Sequence, residues 1–378
     1  MIMRRYGISR STVAVTGIVL VLLLAAGLYY ATNIGRQPNI QSSTGRFTLS
    51  TPVVLSAGGS TFVNPVMQVW ASAYRNVTNG MVSVNYQAIG SGAGQQGIFS
   101  GTFDFAGSDA PVKASQLANF TGKTLLQIPE TLGAVAIFYN IPGLTTSLRF
   151  TGTVLAQIFM QQITKWNDPA IASLNPGVSL PDQTIIVVHR ADGSGTTFAF
   201  TTYLAKVYPD WASKVGVGTS VKWPAGELGG KGSSGVAGVV SQNPYSIGYA
   251  DYFYAVENNL AVAQIQNAAG NWVTPSLASI TAAASDFASQ IQQNATISIA
   301  NAPGANSYPI STFTWLLVWK DQTDPAKAYA IAHFFWWIVT DGQKYGPPRY
   351  YPTLPQNVVQ IDEGLIAQIN VNGQTFVP

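Results

Sequence analysis

From residue 52 onward the chain repeats one pattern: a short apolar run, a turn of glycines and small hydroxyl residues, then apolar positions at helical spacing. "PVVLSAGGSTF" reads as a strand entering a glycine turn, and "NPVMQVWASAYRN" as the helix after it. Pro65 sits in that helix's first turn, where a missing N–H costs nothing. "MVSVNYQAIGSGAG" alternates through Val82, Val84 and Tyr86 into another glycine turn and predicts a short helix from Gln95. "FDFAGSDAP" predicts a strand ending at Ser108-Asp109, with Pro111 opening a helical run through Leu117. "GAVAIFYNI" is a wholly apolar strand, while "TGTVLAQIFMQQI" and "DPAIASLN" are helical. The strand "TIIVVHR" precedes the helix "FAFTTYLAKVY"; "SSGVAGVVSQ" is helical, and "SIGYADYFYA" runs strand into helix. "SYPISTFTWLLVWK" is a strand. "PAKAYAIAHFFWWIVTDGQKYG" is a long apolar helix that Lys327, His333 and Asp341 interrupt, so it belongs in a core rather than a membrane. Strands alternating with helices predict an α/β architecture with parallel sheets covered on both faces.

The N-terminus follows a different rule. Residues 11–30, "STVAVTGIVLVLLLAAGLYY", carry no charge and are long enough to cross a hydrocarbon core. Arg4, Arg5 and Arg10 in front of them predict a cytoplasmic segment 1–10, an anchor at 11–30 and everything later outside the cell membrane. A cleaved signal segment, cut near Ala25-Ala26-Gly27, is the rival. Residues 31–50 read as a polar linker. The sequons at Asn76, Asn119 and Asn294 are candidate glycosylation sites on such an exposed chain.

Charge narrows the partners. The formal net charge is +3, but Arg4, Arg5, Arg10, Arg36 and Arg46 all precede residue 50, where no acid stands. The remainder is slightly acidic and a poor match for nucleic acid, whose affinity rests on neutralising many phosphates. Zero cysteines exclude thiol chemistry, and His189 and His333 have no metal-ligand spacing, so no metal and no cofactor is expected.

In open α/β sheets ligands bind beyond the carboxyl ends of strands. Four such ends turn on small residues: Gly59-Ser60-Thr61-Phe62, Gly90-Ser91-Gly92, Ser108-Asp109, and Arg190 through Thr196. Helix N-termini there offer free N–H groups to an anion. The hydroxyls of Thr61, Ser91, Ser194 and Thr196 add donors, and Arg190 adds a fork suited to oxyanions. Asp192 fits as the partner of Arg190 or as a helix N-cap. Asp109 is the telling residue, because a carboxylate repels an anion unless the ligand brings a proton. Phosphate near neutral pH keeps one or two protons and sulfate keeps none, so this acceptor selects phosphate. A helix N-cap is the plain structural role for Asp109.

Three other readings compete. Gly92 to Gly97 satisfies GxGxxG, yet only five residues separate Gly97 from the next strand at Phe103, too few for a dinucleotide-binding unit's helix. "GELGGKGSS" lacks the hydroxyl directly after Lys231 that a nucleotide-binding loop needs, and reads as a solvated loop. His189 as a base for Ser194 would make a surface hydrolase, but an inward Arg190 sends its strand neighbour to the opposite face. Phe138, Tyr139, Trp166, Trp336 and Trp337 read as core packing.

The stretches "AGGSTF", "VNYQAIGSGAGQQGI", "DFAGSDAP", "ITKWNDPAIASLNPG", "HRADGSGTTFAFTTYLAKV", "VKWPAGELGGKG" and "SIGYADYFYA" resemble the phosphate-binding proteins of ABC phosphate-uptake systems, the PstS type, over residues 53 to 360. The resemblance implies a two-lobed, type II periplasmic-binding-protein fold closing on one orthophosphate in the cleft between its lobes. It implies delivery to the membrane subunits of an ABC permease by a monomeric receptor that is not an enzyme. Phosphate contacts carried over residue by residue fall on Thr61, Phe62 (through its backbone), Ser91, Asp109, Arg190, Ser194, Gly195 and Thr196, with Asp192 pairing the arginine. Lobe I is expected at 50–130 and 306–378, lobe II at 131–305, with the hinge near Pro129 and Pro309. His189 departs from relatives that carry a second arginine there. A receptor for another oxyanion such as sulfate, a phosphate-ester hydrolase and an envelope glycoprotein are the alternatives.

Overall fold

The carboxyl ends of the strands are where this fold does its work, so the sheet comes first. A computed structural model describes residues 47–144, 146–224 and 226–377. The expected anchor at 11–30 and its flanks up to residue 46 lie outside the described residues. The chain divides into two units after Thr48, and the second, from Leu49, is the body described below.

The strands in chain order are β1 (Val53–Gly59), β2 (Val82–Ala88), β3 (Phe105–Ser108), β4 (Leu125–Asn140), β5 (Arg149–Phe150), β6 (Ile186–Arg190), β7 (Leu228–Gly230), β8 (Ser246–Asp251), β9 (Ala261–Val262), β10 (Gln264–Gln266), β11 (Trp272–Val273) and β12 (Ser311–Trp319). The main sheet runs β2-β1-β3-β12-β4-β8-β6-β7, with β9 added on β4. Its two outer groups are parallel as expected, β2-β1-β3 at one end and β8-β6-β7 at the other. The middle corrects the all-parallel expectation: β12 is antiparallel to β3 and β4, and β4 is antiparallel to β8. A wholly apolar run fits a buried strand in either direction, so periodicity could not reveal this.

Strand β4 is longer than the "GAVAIFYNI" run and changes partners along its length. Leu125 to Ala134 pair with β12, and Val135 to Asn140 pair with β8. The ladder shifts between Thr314 and Trp315: Pro129 faces Trp315 and Thr131 faces Thr314, leaving Glu130 bulged out. A bulge suits Pro129, which has no N–H to give a regular ladder.

Helices cover the sheet. The helix Pro325–Val339 buries Ala328, Ile331, Phe334 and Phe335 completely, and Phe335 meets Phe105 of β3 edge-on at 5.1 Å. It is a core helix, and among the described residues no helix is long and apolar enough to span a membrane. At the other end of the sheet Phe138, Val188, Val236, Val240 and Ala250 form one buried cluster. Phe138, Tyr139 and Trp166 are buried, and Trp337 nearly so, as packing residues should be.

Several helix boundaries differ from expectation, among them the long core helix, which ends at Val339 rather than Gly346. The helix after β2 begins at Ser91, not Gln95. Gly90 before it takes φ +94°, a left-handed conformation glycine adopts freely, so the chain enters the helix immediately. The run from Pro111 shortens to Ala114–Leu117, capped by Lys113.

Candidate functional site

Arg190 ends β6 and is 4% exposed. Period-two alternation puts it on the face of Val188 and turns His189 outward, where the imidazole stacks on Trp223 at 4.9 Å. Asp192 holds the guanidinium side-on with both oxygens, accepting from Nε at 2.8 Å and Nη2 at 2.6 Å. Nη1 remains, donating to Thr196 Oγ1 at 3.3 Å and to Ser233 Oγ at 3.4 Å. Asp192 also accepts the Gly232 N–H at 2.9 Å. Burial works to raise its pKa, but the bonds and charge of Arg190, with the Gly232 amide, hold it below the usual carboxylate range. The N-cap of the helix Gly195–Val207 is Ser194, whose Oγ accepts the Thr197 N–H at 3.1 Å. Asp192 is therefore the arginine's partner and not that helix's cap.

Asp109 is buried at the end of β3. Ser60 donates a short hydrogen bond to its Oδ1, Thr196 Oγ1 donates to Oδ2 at 3.3 Å, and its own N–H donates to Ser91 Oγ at 3.2 Å. Burial pushes its pKa up to about 6 against the pull of Ser60, Arg190, Thr196 and Ser91. No helix starts at Asp109, so the N-cap role falls away.

Thr61 Oγ1 meets Ser233 Oγ at 3.0 Å and accepts the Ser233 N–H at 3.1 Å. Phe62 is fully buried and its N–H donates to Ser60 Oγ at 3.0 Å. Gly195 packs closest: a Cβ there would stand 2.6 Å from Ser91 Oγ and 2.7 Å from Asp109 Oδ2. Any side chain would push the helix out of the cluster.

The structure thus brings Thr61, Phe62, Ser91, Asp109, Arg190, Asp192, Ser194, Gly195 and Thr196 to one place. Ser60 and Ser233 belong with them, and sequence reasoning passed them over. The signal for Ser233 was present in "GGKGSS", another strand, glycine turn and helix start, which the solvated-loop reading dismissed. Lys231 is exposed, but Ser233 two residues on is fully buried.

Three helices begin here, Ser91–Phe99, Gly195–Val207 and Gly232–Gln242. Their first-turn amides carry partial positive charge. The one guanidinium is already paired by Asp192, so most donors are neutral hydroxyls and amides. Asp109 is the acceptor among them. This arrangement suits a small oxyanion that carries both oxygen acceptors and a proton. Elsewhere, Asn76, Asn119 and Asn294 are all exposed.

A fold of this kind with an anion cage at its strand ends defines a solute-binding protein. Residues 46–341 match the PBP superfamily domain model. The chain is 44% identical over 316 residues to the phosphate-binding protein PstS of Pasteurella multocida, covering 83% of this chain and 90% of that protein. It is 43% identical to PstS of Xylella fastidiosa, covering 82% of this chain and 83% of that one. A solved structure of a high-affinity periplasmic phosphate-binding protein bound with phosphate superposes with a TM-score of 0.67 at 21% identity, over 82% of this chain and 93% of that chain. The chain belongs to the PstS family of phosphate-binding proteins.

Proposed function

We propose that the protein captures inorganic phosphate outside the cytoplasm and passes it to the membrane subunits of an ABC permease, acting as a monomeric carrier and not as an enzyme. One observation carries this reading: a buried carboxylate, Asp109, accepts from Ser60 and Thr196 beside the Arg190 guanidinium, with Ser91 Oγ on its own N–H. Phosphate brings a proton that Asp109 can accept; sulfate brings none and meets the carboxylate's charge. Calorimetric titration with phosphate and then sulfate tests it. Tight phosphate binding with no sulfate heat is the expected outcome, and equal binding of the two anions overturns it.

The lobes are assigned to 50–130 with 306–378 and to 131–305, hinged near Pro129 and Pro309. The partner change along β4 supports this division, since the strand pairs with β12 first and with β8 afterwards. Thr61, Ser91 and Asp109 would then face Arg190, Asp192, Ser194, Gly195 and Thr196 across the cleft. Anchoring by residues 11–30 rests on their uncharged run behind three arginines. Sequencing the native N-terminus checks it; a mature start near residue 28 removes the anchor. Glycans at Asn76, Asn119 and Asn294 would sit on exposed surface.

A further inference from the structure

Three tyrosines from different parts of the chain, Tyr86 and Tyr351 buried and Tyr254 partly so, donate to three successive backbone carbonyls. Tyr86 Oη donates to Ser60 O at 2.9 Å, Tyr254 Oη to Thr61 O at 2.8 Å and Tyr351 Oη to Phe62 O at 2.6 Å. A carbonyl hydrogen-bonded on its oxygen fixes its peptide plane and polarises the N–H on the other side. The N–H groups of Thr61, Phe62 and Val63 belong to these three peptides. The Phe62 and Val63 N–H groups donate to Ser60 Oγ, and the Phe62 amide is also the backbone group that the resemblance assigns to the anion.

Tyr351 has a second contact, to Asp251 Oδ1 at 2.8 Å. A phenol owns one hydrogen, and Phe62 O can only accept, so that hydrogen is taken. The Asp251 contact therefore needs a hydrogen from Asp251. Its Oδ1 already accepts the Phe253 N–H at 3.0 Å, which leaves the carboxyl compatible with a proton pointed at Tyr351. Burial holds Asp251 well above the usual carboxylate range, with the charge of Asp109 adding to the effect and Tyr351 and the Phe253 and Tyr252 amides opposing it. Tyr254 of its own helix faces it too, and Arg190 acts on Tyr254 and Asp109. Glu130, on β4, is likewise pushed up to about 8 by burial and feels Asp109.

We propose that protonated Asp251 and the tyrosines Tyr351 and Tyr254 are positioning residues that latch the Ser60–Phe62 turn, so that capturing phosphate also takes up a proton at Asp251. The proposal rests on the phosphate reading and on the lobe assignment, under which Asp251 and Tyr254 reach across the cleft to Phe62, Thr61 and Tyr351. When the lobes part, Asp251 meets water and returns to the usual carboxylate range. Closing on the anion restores the proton. The sign follows: a carboxyl whose pKa is higher in the bound form favours binding at low pH and opposes it as pH rises above the free-form value.

The experiment compares the intact protein with Asp251→Asn and Tyr351→Phe by calorimetric titration with inorganic phosphate from pH 5 to 8, in two buffers of different ionisation enthalpy. Phosphate's own protonation is common to every protein and cancels in ratios of Kd. The wild-type Kd should rise relative to that of Asp251→Asn toward tenfold per pH unit. Wild type should also take up close to one more proton per phosphate than the variant. Tyr351→Phe, which keeps the ring and loses the hydroxyl, should bind about tenfold more weakly and lose the extra proton, covering the case in which Asp251→Asn does not fold. A flat Kd ratio with equal proton uptake in all three proteins overturns the latch and leaves the phosphate reading standing. Absence of phosphate binding by wild type at every pH overturns both.

Discussion

At the scale of single residues, Arg190 and Asp109 divide the labour of affinity and choice. Arg190 keeps Nη1 for the site because Asp192 occupies the other edges of the fork. Removing it leaves the half-buried Asp192 without its partner, so Arg190→Ala should weaken phosphate binding by about 2–5 kcal/mol. Arg190→Lys should fall in between, since an ammonium cannot serve Asp192 and the site together. Titration calorimetry checks both, and wild-type affinity in the alanine variant removes Arg190 from the site. Asp109→Asn should act on discrimination more than on affinity. The amide keeps the shape, removes the repelling charge and donates to an unprotonated oxygen, so sulfate should become a measurable ligand. Phosphate should lose about 1–3 kcal/mol at most. An unchanged phosphate-to-sulfate ratio in competitive titration would count against this role. These residues were legible in the sequence because each stands where a strand ends on glycine or a small hydroxyl residue. Ser233 stood in the same grammar and was overlooked because Gly232 rather than a hydroxyl follows Lys231, which makes the stretch read as a solvated loop. The partners of Tyr86, Tyr254 and Tyr351 were not legible at all, since nothing in "VNYQA", "DYFYA" or "RYYPT" tells which distant backbone carbonyl a hydroxyl will meet.

At the scale of elements, strand ends and helix starts followed local chemistry, whereas strand direction and partner did not. Helix Asn64–Val77 has proline in its first turn as expected, and helix Gly195–Val207 starts from the hydroxyl of Ser194. The antiparallel insertion of β12 is a decision of the whole sheet, and its side chains are buried along nearly the entire strand whichever way it runs. The bulge at Glu130 is where the two levels meet. Its Oε1 accepts from Thr314 at 2.9 Å and burial raises its pKa to about 8. A carboxyl raised in the folded state favours folding below its unfolded value of about 4.3 and loses that advantage as pH climbs toward the folded value. Each pH unit in that window should cost about 1.4 kcal/mol. Glu130→Gln should abolish this term, so the stability gap between variant and wild type in urea denaturation should widen from pH 5 to pH 8. A gap that stays constant would mean that Glu130 titrates normally.

At the scale of the molecule, the site draws on both groups of parallel strands, β2-β1-β3 and β8-β6-β7, and a ligand there ties them together. Phosphate at a hundred times its Kd should therefore add about 2.7 kcal/mol to unfolding stability. Under the lobe assignment it should also reduce the radius of gyration in X-ray scattering, and a radius indifferent to phosphate would speak against closure. The position of β12 has a consequence of another kind, in time. Residues 311–319 insert between β3 and β4, which were both made before residue 141. While the ribosome is still working on the middle of the chain, the sheet therefore has a gap through its centre that only a late segment fills. A protein built this way postpones its final fold until synthesis is nearly over. A chain ending at residue 305 should accordingly be digested rapidly by protease under conditions in which the full chain survives.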